Sequence, residues 1–143
     1  MGAEGALTIA SFFVGGAAGA RKGTAALRFS QTTASSSFSA EGSFAGRTIG
    51  QVANGLRNGQ ISSNQVPVGF VSRDGIMLIE NTRSSLALRR ANIPASEWSF
   101  INKTGNPLVE GNITNRLFRN NLTNQGTETL RITGAGKGVS SLQ

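Results

Sequence analysis

The chain contains neither cysteine nor histidine, and these two absences remove more chemistry than any single residue adds. Without Cys there is no disulfide framework, no thiolate nucleophile and no thiolate zinc site. Without His the commonest general acid/base and transition-metal ligand is gone, which excludes His-dependent nucleases, zinc deaminases and Ser-His-Asp hydrolases. Acids are scarce as well, at seven Asp plus Glu in 143 residues. Asp74 and Glu80 are the nearest thing to a pair, and Glu80 lacks the following Glu-x-Lys spacing of many magnesium nucleases. A two-metal site is therefore not expected, and no metal or cofactor is assigned. Long hydrophobic runs are also missing. The apolar stretch from Gly5 to Ala20 is shorter than the roughly 20 residues a bilayer-spanning helix needs, so stable membrane insertion is not expected. It makes a poor signal peptide, because Glu4 precedes it and no Lys or Arg does. Two readings remain for it: a segment that meets a membrane during delivery of a larger protein, or a Gly/Ala-rich helix packed against the domain.

What is present is cationic. Fourteen Lys plus Arg give a formal charge of +7, and all but Lys22, Lys103 and Lys137 are Arg, whose planar fork of donors clamps phosphate. The excess is concentrated late in the chain. From Thr82 onward stand Arg83, Arg89, Arg90, Lys103, Arg116, Arg119, Arg131 and Lys137 against only Glu97, Glu110 and Glu128. A polyanion-binding surface belongs in that part, with a basic solvated face as the plain alternative.

The length fits one domain with a tail. Residues 1–43 read as an apolar Gly/Ala-rich segment and a Ser/Thr-rich linker, with Phe29, Phe38 and Phe44 as anchoring points, and the compact domain is expected over 44–143. Ile49, Val52, Ala53 and Leu56 follow Thr48 at helical spacing, with Gly59 beyond the end, which predicts a capped amphipathic helix. Asp74-Gly75 between two apolar runs predicts a hairpin of Val66 to Ser72 with Ile76 to Glu80. A second helix is expected over SLALRRA, ending near Asn92 ahead of Pro94. EWSFINKTG and TETLRIT read as third and fourth strands, Gly111 to Asn124 as a short helix or Asn-rich loop, and GAGKGVSSLQ as a flexible end. The fold class is α+β, a small and mostly antiparallel four-stranded sheet with two or three helices.

The segments EGSFAGRTIGQVANGLRNGQIS, VPVGFVSRDGIMLIENTRSSLALRRANIP and SEWSFINKTG resemble the C-terminal toxin domains of bacterial polymorphic toxins, of the contact-dependent inhibition, Rhs and neisserial MafB kinds. The resemblance spans Gly42 to Gly134. It implies a domain secreted or displayed as part of a larger toxin and acting in a target cell's cytoplasm. It also implies an α+β ribonuclease class shared with barnase, EndoU-type enzymes and tRNA-cutting colicins, and a cognate immunity protein. The lack of His departs from His-based EndoU members. An inhibitor facing a basic groove gains speed and selectivity by being acidic, so an acidic immunity protein is expected.

Cutting RNA without metal uses the substrate's own 2′-hydroxyl as nucleophile. The protein has to deprotonate it, stabilise the phosphorane and help the 5′-oxygen leave. The leading site is Asn81-Thr82-Arg83-Ser84-Ser85, where a strand end meets a helix N-terminus and offers backbone N–H groups, hydroxyls and a cation to one anion. Ordinary helix capping explains the same residues. Arg131 and Thr133 share a strand face by alternation, and Lys103-Thr104 ends another strand. The expected catalytic set is Arg83, Ser84, Ser85, Lys103, Arg131 and Thr133, with Asn81, Thr82, Thr104, Arg116, Arg119 and Asn120 gripping substrate. Arg89 and Arg90 read as solvent-exposed or immunity-binding, and Trp98 as core. The general base has no clear candidate: it could be a Lys or Glu with a shifted pKa, or catalysis could rest mainly on positioning and electrostatics. An ADP-ribosyltransferase using Arg73, the Ser-rich segments and Glu110 or Glu128, a non-enzymatic nucleic-acid-binding module, and a membrane-active toxin using Gly5 to Ala20 are the competing functions.

Overall fold

The computed structural model of the chain describes residues 26–39, 42–134 and 138–141, so the apolar Gly5–Ala20 segment lies outside the described residues. The centre of the fold is the hairpin. Strands β3 (Val68–Arg73) and β4 (Ile76–Ile79) pair antiparallel. Asp74 and Gly75 turn between them with φ of 51° and 80°, the left-handed pair that matches the twist of the flanking strands.

The apolar run Ile76-Met77-Leu78-Ile79 is buried throughout because both of its faces are covered. Met77 and Ile79 join the larger core with Leu27, Phe29, Val68 and Phe70, beneath helices α1 (Ile49–Arg57) and α2 (Thr82–Arg90). Ile76 and Leu78 face the other way with Val71, onto Val109, Ile113 and Leu117 of helix α3 (Pro107–Arg119). Helices thus lie on both sides of a central sheet. Full burial of each such Leu or Ile contributes about 1.5–3 kcal/mol.

The helices begin where polar side chains satisfy their first N–H groups. Thr48 and Gln51 form a reciprocal capping box at α1, Gln51 N donating to Thr48 Oγ1 at 3.0 Å and Thr48 N to Gln51 Oε1 at 2.9 Å. At α3, Asn106 accepts from Leu108 N and Val109 N, and Pro107 occupies the first turn. That Asn-Pro start places the helix four residues ahead of the expected Gly111. Helix α2 gives way to Asn92, in the left-handed region at φ 62°, two residues before Pro94.

The fold is α+β, with two corrections to the expected sheet. First, strand β1 (Ala26–Phe29) runs parallel to β4, and β5 (Phe100–Asn102) runs parallel to β3, giving a mixed sheet of order β1-β4-β3-β5. Leu27 and Phe29 of β1 are fully buried, so a stretch expected as linker supplies a core strand, and the folded unit reaches back at least to Ala26. Second, β6 (Thr129–Thr133) leaves this sheet and builds another. It pairs parallel with β2 (Thr33–Ser35) and antiparallel with β7 (Gly138–Ser141), in the order β2-β6-β7. The end expected to be flexible therefore contributes a strand.

Candidate functional site

β1 and β4 are parallel neighbours, so their carboxyl ends lie at one edge of the sheet. Beyond that edge the chains part: β1 continues into Gln31 and the second sheet, and β4 into Asn81 and α2. Diverging connections past adjacent parallel strands leave a crevice, as in open α/β sheets. A cavity of about 360 Å³ opens there, walled by Glu80 to Ser84, by Arg116 of α3, by Thr133 of β6, and by residues between Gln31 and Ser39.

Among the described residues, the charged ones lining this cavity are Glu80, Arg83 and Arg116. Arg116 reaches it from α3, donating from one guanidinium nitrogen to Glu80 O at 2.7 Å and Ser30 Oγ at 3.1 Å. Ser30 is completely buried and in turn donates to Ile79 O at 2.6 Å, so the anchor sits in the strand ends. Burial pushes the Arg116 guanidinium below its ordinary range. The Glu80 charge opposes this, and Arg119 and Arg83 add to it. Guanidinium keeps its proton in proteins, so Arg116 stands at the cavity as a partly desolvated cation. Arg83 donates to Ser37 O at 2.8 Å, which leaves most of its donors for another acceptor.

Glu80 sits where an ordinary side chain opposite would not fit. A Cβ on Gly69 would stand 2.6 Å from Glu80 Oε1 and 3.2 Å from Lys103 Cε. Glycine on β3 therefore gives the carboxylate its berth. Lys103 Nζ approaches Oε1 to 3.0 Å, yet Oε1 is sealed from solvent without a hydrogen bond. The pair is an ionic contact off the hydrogen-bond axis.

The structure brings together half of the residues expected at a site. Asn81, Thr82, Arg83, Ser84, Arg116 and Thr133 all line the cavity. Within it, Thr82 Oγ1 donates to Gln31 Oε1 at 2.9 Å, and the Asn81 amide is committed to structure, accepting from Gly69 N and donating to Pro67 O, each at 2.6 Å. The others stand outside it. Ser85 is fully buried and closes its own helical turn, donating to Thr82 O. Thr104 accepts from Ser72 N, and Asn120 accepts from Thr32, both as struts between segments. Lys103 meets the site only through Glu80. Arg119 is exposed and does not line the cavity. Arg131 and Thr133 do share the exposed face of β6, with Ile132 buried between them, but only Thr133 reaches the cavity.

Sequence reasoning missed Glu80 and the wall made by Gln31, Thr33, Ser35, Phe38 and Ser39. For Glu80 a signal existed: an acid directly after a doubly buried strand and before a helix start. The Ser/Thr-rich wall has no periodicity and offered none. The constellation considered for ADP-ribose transfer does not meet at the cavity. Arg73 and Glu110 pair with each other at 2.7 Å, tying the hairpin to α3, and Glu128 pairs with Arg28 at 3.4 Å. Among the described residues no group of three acidic side chains gathers, and no helix is long and apolar enough to cross a membrane. No family model, curated protein or solved structure matches the chain.

Proposed function

We propose that this chain is the ribonuclease domain of an interbacterial toxin and cuts RNA by attack of the substrate's own 2′-hydroxyl, without a metal ion. The observation that carries the reading is that an acidic residue, Glu80, and two arginines, Arg83 and Arg116, line the same cavity. Glu80 fills the role that the sequence left open. The Glu80 carboxylate oxygen other than the sealed Oε1 takes the 2′-hydroxyl proton as the 2′-oxygen bonds to phosphorus. Arg116 and Arg83 hold the non-bridging oxygens, whose negative charge grows in the phosphorane. The bond to the 5′-oxygen then breaks, and that oxygen takes a proton from water. The products are a 2′,3′-cyclic phosphate and a 5′-hydroxyl end. A partly buried Arg116 suits this task, because a cation withdrawn from water binds an arriving phosphate through strong charge-assisted hydrogen bonds.

The same reading places the domain in a secreted or displayed toxin, acting in the target cytoplasm. Its neutraliser is an acidic immunity protein laid over the cavity mouth, where Arg83 and Arg116 lie, with exposed Arg119 and Arg131 as further cations.

The test is incubation of the full chain with total RNA in EDTA, followed by mapping of the ends. Cleavage with cyclic-phosphate termini is expected. Glu80→Gln should lower the rate by about 10²- to 10⁴-fold, the usual worth of a general base, and Arg116→Ala should lower it comparably. RNA left intact while NAD is consumed would move the assignment to ADP-ribose transfer. Salt-sensitive RNA binding without product would make it a binding module.

A further inference from the structure

Attack by a 2′-hydroxyl requires a phosphate and a ribose, and Glu80, Arg83 and Arg116 address those. The cavity contains one more feature that this chemistry does not use. Among the described residues that line it, Phe38 is the one aromatic. It is carried on the segment between β2 and α1, and its position is fixed before any ligand arrives. Phe38 N donates to Arg47 O at 2.7 Å, the preceding residue bridges to Thr48, and the ring packs on the main core. Phe44 braces it with ring centroids 5.7 Å apart and planes tilted by 59°. Arg83 then links the two halves of the site, because the carbonyl it holds at 2.8 Å belongs to Ser37, next to Phe38.

A fixed aromatic ring beside paired cations fits a nucleotide better than a bare phosphate. Any base can stack on such a ring, and stacking of this kind changes affinity by about tenfold or more per base. Cavity size limits the choice further. At about 360 Å³ the space lies near the small end of ligand pockets, on the scale of one nucleotide. Bases inside a duplex have both faces stacked and cannot reach such a ring; unpaired bases can be splayed out onto it.

We infer that the cavity takes one unpaired nucleotide of the substrate, its phosphate on Arg83 and Arg116 and its base stacked on Phe38, so that the Gln31–Ser39 segment selects single-stranded RNA. This deepens the ribonuclease reading and rests on it. Arg83, through Ser37, makes phosphate binding and ring placement depend on each other.

The experiment uses the full-length chain carrying Glu80→Gln, so that substrate persists. Binding is measured by fluorescence anisotropy at one fixed salt concentration, with a single-stranded RNA oligonucleotide and with the duplex formed with its complement. At least tenfold tighter binding of the single strand is expected. Adding Phe38→Leu, which keeps apolar bulk but removes the stacking face, should weaken single-strand binding about tenfold, and Phe38→Tyr should restore it; melting temperature is followed for each variant. Equal affinity for the duplex overturns the inference, as does a folded Phe38→Leu protein that binds like its Phe38 parent. Absence of RNA binding overturns it together with the functional reading. Wild-type protein that binds the single strand selectively but leaves it uncut sinks the ribonuclease reading alone.

Discussion

At the residue scale the decisive position is one with no side chain. Gly69 leaves the space that the Glu80 carboxylate occupies, and the atoms a Cβ would meet are the tips of Glu80 and Lys103 side chains, with no backbone among the closest contacts. Such tips move cheaply. Gly69→Ala is therefore expected to change stability by less than about 1 kcal/mol while turning the carboxylate away from its place. Misplacement of a reacting group by about 1 Å costs on the order of 100-fold in rate. The expected result is a folded protein with unchanged melting temperature, KM within about threefold of wild type, and kcat reduced by about 10- to 100-fold on single-stranded RNA. A fully active Gly69→Ala protein would detach Glu80 from the chemistry. Glu110 is charged too, but its partners show a different role. Gly105 N donates to its carboxylate at 2.8 Å, and the Arg73 guanidinium, its ion-pair partner, donates two more hydrogen bonds to Oε1 at 2.7 and 3.2 Å. These contacts hold its carboxyl below the ordinary value of about 4.5, the Gly105 bond being the larger cause, with desolvation opposing. A carboxyl with a depressed folded pKa contributes stability that is complete above the unfolded value and is lost as pH falls through the folded one. Melting temperature should therefore drop below about pH 4.5 in wild type, and Glu110→Gln should lower it at neutral pH and flatten that acid dependence. Parallel wild-type and variant curves from pH 7 to pH 3 would show that Glu110 contributes nothing through its charge.

At the scale of elements, one tight contact decides how the loop after α3 meets the sheet. Gly126 has φ 62°, and a Cβ there would lie 2.5 Å from Phe29 O and 2.9 Å from Leu78 Cδ2. Here the closest obstacle is backbone, at the point where Phe29 N and Thr127 exchange hydrogen bonds of 2.8 and 3.0 Å with their partners' carbonyls. Gly126→Ala combines left-handed strain with a clash that side-chain rotation cannot relieve, so a loss of about 2–4 kcal/mol is expected in urea titration. A loss under about 0.5 kcal/mol would mean that the loop relaxes freely. The contrast between what was and was not legible also belongs to this scale. The hairpin, α1 and α2 were readable because Asp74-Gly75, the Thr48 cap and the apolar spacing are local signals. β1 and β2 were not. Ala-Leu-Arg-Phe and Thr-Ala-Ser are too short to show a period, and they become strands only by pairing with β4 and β6, about fifty and one hundred residues away. The site followed the same division. Asn81 to Ser84 lay on a recognisable strand-to-helix junction, whereas the Gln31–Ser39 wall exists only because those long-range pairings lay it across the cavity. Ser85 and Thr104 were legible as polar residues, but burial and backbone partners, invisible in sequence, assign them to structure.

At the scale of the whole molecule, the early segment closes both the core and the cavity. Leu27 and Phe29 are fully buried, and their loss alone removes about 3–6 kcal/mol of apolar burial, before counting the exposed edge of β4 and the unpaired β6. Domains of this size have only about 5–15 kcal/mol of net stability. A fragment spanning 44–143, the boundary suggested by composition, should therefore lack a cooperative thermal transition, and because it also loses Gln31 to Ser39 it should neither bind nor cut RNA. A fragment beginning at Gly23 keeps β1, β2 and the cavity wall, and it is expected to melt cooperatively. Circular dichroism melts of the two fragments, with RNA cleavage measured alongside, separate the possibilities. A cooperative melt for 44–143 would make β1 and β2 dispensable to the core. Cleavage by that fragment would move the chemistry away from the Gln31–Ser39 wall and leave Glu80, Arg83 and Arg116 to act on an open surface.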